Sequence, residues 1–137
     1  MEFIGYFSNV FIFENLLILV LGTIGGLLMG AAPGLSPTMA VALLIPFTFK
    51  MSPDQGLIML GAVYTATVAG GAISAILLKI PGAPANIATV MDGYPMAKNG
   101  KSKEALHYCF ISSFIGGVIG IIILIFFTPV LANFALK

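Results

Sequence analysis

Three observations make this chain an all-α, polytopic membrane protein whose helices are re-entrant or discontinuous at Pro-Gly breaks. First, its 137 residues are 59% hydrophobic and only 8% charged, with a mean hydropathy of +1.10. A soluble domain is typically about one-quarter charged, so lipid is the solvent for most of this surface. Second, charges are so sparse that 35 uncharged residues run from Asn15 to Phe49 and 24 from Gln55 to Leu78. Third, Ala32-Pro33-Gly34-Leu35-Ser36-Pro37-Thr38 and Ile80-Pro81-Gly82-Ala83-Pro84-Ala85-Asn86 interrupt the apolar sequence with turn residues. Broken backbone at membrane depth is tolerated only where protein buries it or where it lines a wet cavity. Transporters build midplane substrate sites from such breaks.

Residues 1–137 read as a single transmembrane domain with apolar segments at about 16–32, 37–49, 55–78 and 108–127, and a short re-entrant segment at about 80–91. As one straight helix, residues 15–49 would reach ~50 Å, against a hydrocarbon core of ~30 Å. The Pro33–Pro37 break must therefore divide them. Helices of ~25 Å and ~20 Å then start from one surface and meet at a deep tip, with Glu14 and Lys50 on the same side. Two complete spans are the alternative if the bilayer thins. Residues 55–78 suffice for a full span and are rich in Gly, Ala, Ser and Thr, which let helices approach closely in lipid. Within them Gly70-Gly71 is a place for the helix to kink or unwind. Residues 80–91 are too short to cross, so Lys79 and Asp92 share a side. Asp92-Gly93-Tyr94-Pro95 reads as a turn and Lys98 to Glu104 as a polar loop. The last span closes at Thr128-Pro129, and its Gly116-Gly117 and Gly120 suit a packing face.

Lys79, Lys98, Lys101 and Lys103 fall on one side in this scheme and Lys50 and Lys137 on the other, so the positive-inside rule makes the 96–104 loop cytoplasmic. The start, Met1-Glu2-Phe3, has no basic region and is not expected to be a cleaved signal peptide. With six Lys, no Arg and a net charge of +1, no nucleic-acid partner is expected. One His, no carboxylate pair and no metal-spaced cluster, P-loop or nucleophile elbow argue against an enzyme and against a metal centre. Cys109 reads as a small buried hydrophobe, Lys79 as a snorkelling interfacial residue and His107 as interfacial beside Glu104.

The candidate site is the pair of breaks. Ser36 is a favoured N-cap and Pro37 a favoured first helical residue. A helix starting there aims free N–H groups and its positive dipole end at the tip, a ready place for a carboxylate. Ser36 and Thr38 add hydroxyls, and Gly34 lets a ligand approach the backbone. The second break is less well equipped: Pro84 suits a helix start, Ala83 is a poor cap, and Asn86 and Thr89 offer polar contacts to a substrate or a cation. The substrate-binding set is thus Pro33, Gly34, Ser36, Thr38, Pro81, Gly82 and Asn86. Pro33–Ala40 and Pro81–Ala88 also align as a weak internal repeat, a pattern that points to transporter sites. The competing reading is that both tips satisfy only each other and their neighbours.

These residues resemble the large transmembrane subunit of the tripartite tricarboxylate transporters. The resemblance rests on Gly30 to Thr38, Gly70-Gly71-Ala72-Ile73-Ser74-Ala75-Ile76-Leu77-Leu78, Ile80-Pro81-Gly82-Ala83-Pro84, Asp92-Gly93-Tyr94-Pro95-Met96-Ala97 and the basic loop with Gly100. One departure is that Ala69 and Ala72 flank Gly70-Gly71, where the family commonly has Tyr-Gly and then Gly-Gly-Ser. The resemblance runs from Leu16 to about Ala132 and covers the first quarter to third of the family protein. It implies an inner-membrane permease component for uptake of tricarboxylates or related organic acids, driven by an ion gradient. No cofactor is implied beyond a coupling ion, Na+ or H+. Implied partners are the organic carboxylate, membrane lipid, a small membrane subunit and a periplasmic solute-binding protein. The missing half would come from a split gene or from a homo-oligomer, unless the chain is a fragment. The rival function is a structural or assembly subunit that does not transport.

Overall fold

The computed structural model describes residues 10–135. Five helices and one short 3-10 turn account for most of them, with no strand among the described residues. They are α1 (Phe13–Ala31), α2 (Pro37–Thr48), α3 (Pro53–Leu78), the 3-10 turn (Pro84–Asn86), α4 (Ile87–Lys98) and α5 (Ser102–Ala135). Length and apolar composition qualify α1, α3 and the Ser102–Thr128 part of α5 to cross a membrane.

The chain buries mainly small residues, with Val63 and Ile76 the larger exceptions, and exposes many large ones. Ala40, Val63, Ala66, Ala72, Ala75 and Ile76 form the core, whereas Leu28, Phe47, Leu57, Phe114 and Phe126 each stand more than half exposed. Lipid tails are as apolar as Leu, so large side chains gain little by turning inward, and backbones meet through small ones. The hydroxyls inside the apolar helices follow the same logic. Thr23, Thr65, Thr67, Ser74 and Thr128 each donate to a carbonyl three or four residues back. None of these five hydroxyl hydrogens is then left facing hydrocarbon.

α1 and α3 form the most extensive interface. Glycines at a four-residue spacing make it: a Cβ on Gly22 would stand 3.2 Å from Ala62 Cβ, and one on Gly26 2.7 Å from the Val63 carbonyl oxygen. One on Gly30 would collide with the Thr67 carbonyl. Contacts that climb in both helices together make α1 and α3 parallel. α2 is therefore the return arm, and its Thr48 end comes back beside Gly56. The Gly22–Gly26–Gly30 spacing is absent from the sequence reading above, although its period is the signal for such a face.

Several sequence expectations need correction. Gly70-Gly71 does not unwind, because α3 runs unbroken through it. Both glycines serve close approach: a Cβ on Gly70 would lie 2.5 Å from the Leu27 carbonyl oxygen, and one on Gly71 2.5 Å from Asn86 Nδ2. Asp92 to Pro95 is helix rather than turn, since α4 carries through to Lys98 and sets Gly93 against the Ile76 side chain. The reversal comes later, at Gly100 (φ 79°), where Gly100 N–H donates to Ala97 C=O and Lys101 N–H to Met96 C=O. That pairing is a Schellman end. α5 starts at Ser102 rather than near Tyr108 and continues past Thr128 to Ala135. Gly116, Gly117 and Gly120 have nothing packed on them among the described residues. α1 begins at Phe13, placing Glu14 in its first turn, where a negative charge favours the helix dipole.

Candidate functional site: two breaks that meet at one level of α3

Parallel packing lets α3 serve as a ruler. The end of α1 lies level with Gly70, whose virtual Cβ is 2.9 Å from Ala31 N. α3 continues to Leu78, so the first break sits roughly 12 Å short of its Lys79 end at 1.5 Å per residue. The second break reaches the same level from the opposite direction. α3 stops at Lys79 in a left-handed conformation (φ 61°, ψ 23°), and the chain turns back on itself. Gly82 then lies against Gly71 and the Gly30 carbonyl: a Cβ on Gly82 would stand 2.7 Å from Gly71 Cα and 3.3 Å from the Gly30 oxygen. α4 climbs again, with Gly93 beside Ile76 and the Lys79 ammonium 5.6 Å from the Tyr94 ring centre. Two hairpins entering from opposite ends thus meet at Gly30, Gly71 and Gly82.

The first break is open and rich in donors. After Ala31 the chain turns through Pro33 and Gly34, whose φ of 92° suits glycine and strains other residues. Ser36 is extended (φ −81°, ψ 155°), and its Oγ accepts from the Met39 N–H at 3.3 Å, the N-cap of α2. The Ser36 and Thr38 hydroxyls bond each other at 2.9 Å, which occupies one of their two protons. Pro37 has no N–H, and the amides of Gly34, Ser36 and Thr38 have no acceptor among the described residues. Pro33, Gly34 and Thr38 are exposed and Ser36 half-buried. Three amides and one hydroxyl proton, at the positive end of a 12-residue helix, suit an anion.

The second break is closed. Ala83 is extended (φ −139°, ψ 157°) and makes no side-chain cap; its carbonyl accepts from Asn86 N–H at 2.9 Å. Gly82, Ala83 and Asn86 are buried, whereas Pro81 and Pro84 are exposed. Asn86 crosses to α3, where its Nδ2 donates to the Val68 carbonyl at 3.1 Å. Beside it a cavity of about 440 Å³ opens between α3, the 3-10 turn and α5, with Tyr64, Thr65, Thr89 and Ser113 among its lining. Tyr64 and Thr65 are functional candidates on position alone.

The predicted site residues therefore fall into two groups. Pro33, Gly34, Ser36 and Thr38 share the first turn; Gly82 and Asn86 join Gly71 in the second. Backbone links the groups, through Gly30, Gly71 and Gly82, while α2 and the 3-10 turn do not touch. Gly30, Val68 and Gly71 are the participants that sequence reasoning missed. Small size and spacing marked Gly30 and Gly71, a signal shared with every packing glycine, whereas Val68 takes part through its carbonyl alone and carried no signal.

Comparison with known proteins fits this architecture. The family described as tripartite tricarboxylate transporter TctA family matches over residues 16–137. An uncharacterized 52.8 kDa protein in the TAR-I ttuC' 3' region of Agrobacterium vitis is 38% identical over 123 residues, which is 90% of this chain and 24% of that protein. The chain thus spans about a quarter of the length of this curated relative. No solved structure matches it. A match over nearly its whole length, on helices long and apolar enough to cross a membrane, makes this chain a member of the tripartite tricarboxylate transporter TctA family.

Proposed function

We propose that the chain is part of a secondary permease for tricarboxylates or related organic acids, and that the first break receives a substrate carboxylate. The observation that carries this reading is the set of unpaired amides at Gly34, Ser36 and Thr38, at the start of α2 and just beyond the end of α1, which packs against Gly70. α3 is 26 residues long, about 39 Å, so a point roughly 12 Å from its end lies within the hydrocarbon layer once that end reaches the interface. Lipid offers no acceptor there, so unpaired amides need one from protein, from a ligand or from the water of a polar cavity. An organic carboxylate supplies two such oxygens. An ion gradient of Na+ or H+ would drive it inward.

In this reading the 96–104 segment faces the cytoplasm of a bacterial inner membrane. A small membrane subunit, a periplasmic solute-binding protein and the remaining part of the permease would be the partners. The test is uptake of labelled citrate by the chain reconstituted in vesicles, with Ser36→Ala and Thr38→Val alongside. Each variant is expected to lower uptake several-fold. Wild-type uptake that neither change alters removes the site. Spin labels at Leu35 and Ala85 check the depth: both should be reached by dissolved oxygen more readily than by a water-soluble nickel chelate.

A further inference from the structure

The groove between α4 and α5 gathers polar side chains that make no hydrogen bond within the chain. Elsewhere in the apolar helices Ser and Thr hydroxyls donate to a carbonyl of their own helix, as at Thr23, Thr48, Thr65, Thr67, Ser74 and Thr128. Thr89, Ser112 and Ser113 have no such bond among the described residues, and all three line one cleft of about 350 Å³ together with Asp92 and Tyr108. Asp92 also has neither hydrogen bond nor ion pair there, since the Lys79 ammonium lies over Tyr94 and Lys101 pairs with Glu104. No Lys or His lines the cleft, so Asp92 is the one formal charge on its wall. Gly93, next to Asp92 in the chain, packs on Ile76, so the cleft begins about one turn inside the Lys79 end of α3. Ser113 lies ~16 Å along α5 from its start at Ser102. Thr89 and Ser113 also line the cavity beside Asn86, so the cleft leads inward to the second break.

A hydroxyl can donate or accept, whereas a carboxylate only accepts, so Asp92 decides the sign of the guest. An anion is repelled. A proton would occupy the carboxylate and leave three hydroxyls as they are, while a metal cation takes several oxygens at once. One carboxylate balances one positive charge. A divalent ion would keep an uncompensated charge beside hydrocarbon, and its sites are tuned by gathering more carboxylates. Oxygen donors, with Cys109 the lone sulfur, suit a hard ion. The volume exceeds what a bare ion needs, so part of its water enters with it. We propose that this cleft binds Na+ through Asp92 and the hydroxyl oxygens of Thr89, Ser112 and Ser113. Resting on the permease reading above, it is the place where an Na+ gradient is coupled to uptake.

The test measures equilibrium binding of radiolabelled Na+ to the purified full chain in detergent, without any organic acid. Saturable binding is expected in the wild type. Asp92→Asn should weaken it by about tenfold or more, and Ser112→Ala, Ser113→Ala and Thr89→Val by about two- to fivefold each. Glu104→Gln, outside the cleft and paired with Lys101, should bind as the wild type does. Absence of saturable binding in the wild type overturns the inference whether or not any variant folds. So does a folded Asp92→Asn that binds normally, or Ca2+ that displaces Na+ at equal concentration. Citrate uptake by reconstituted vesicles separates the two readings. Uptake that proceeds equally without Na+ overturns the coupling and spares the permease. Na+ binding lost in Asp92→Asn, with no citrate uptake by the wild type, upholds the cation site and removes the permease.

Discussion

The two Pro-Gly breaks look alike in sequence and differ in what they do with the same residues. At the first, Gly34 stands in open space and Ser36 caps a 12-residue helix, leaving amides and a hydroxyl turned outward. At the second, Gly82 and Ala83 are buried and Asn86 donates a side-chain amide proton to the Val68 carbonyl of α3. Both carry a proline that starts a helical turn, Pro37 and Pro84. The difference lies in the residue before each proline. Ser36 reaches the backbone of its own helix, whereas Ala83 has nothing to reach with, so its helix enters through a 3-10 turn held by Asn86. One break leaves amides without a protein partner, and the other is clasped by α3.

Substitutions can break or sharpen this contrast. The largest effect belongs to the seam that sets both breaks at one level. Gly30→Val drives a side chain into the Thr67 carbonyl, which belongs to a helix and cannot yield, and should cost more than ~3 kcal/mol. Loss of a monodisperse peak in size-exclusion chromatography would register it. Gly116→Val, facing open space, should leave that peak intact. Next comes Gly71→Ala. Its methyl would lie 2.5 Å from Asn86 Nδ2 and push the second break off α3, at a cost of ~1–3 kcal/mol in thermal unfolding.

The first break should respond more mildly. Ser36→Ala removes the cap of α2 and should cost ~1 kcal/mol in the same unfolding experiment. Gly34→Ala should cost a similar ~1 kcal/mol, through backbone strain alone because nothing crowds the position. A seam substitution no worse than Ser36→Ala would show that the clasped and open breaks are equivalent. The smallest change has the opposite sign. Lys79→Gly relieves a left-handed residue worth ~1 kcal/mol and gives up a cation–π contact of ~0.5 kcal/mol, for a net gain of a few tenths.

The helices were legible because lipid enforces them, through apolar runs long enough to span. Proline was an uneven guide: Pro33 and Pro81 mark breaks, but Pro46, Pro95 and Pro129 lie inside helices. The N-cap at Ser36 was legible too, since its determinants lie within four residues. Asp92 to Pro95 misled because local turn chemistry competes with tertiary packing. Gly93 is small so that Ile76 can lie on it, which no local rule reveals. Gly70-Gly71 misled for the same reason: glycine that loosens a lone helix is also glycine that lets two backbones touch. The internal roles of Asn86 were hidden because its partner, the Val68 carbonyl, lies 18 residues away.

The glycine seam between α1 and α3 carries a mechanical consequence. Helices that meet through long side chains can slide as those chains change rotamer, but backbone resting on backbone has no such lubricant. α1 and α3 therefore behave as one strut, and any rocking that exposes Ser36 to either side of a membrane must carry Gly71 with it. The hinge of such a movement belongs elsewhere, in the turns that join the strut to α2 and α4.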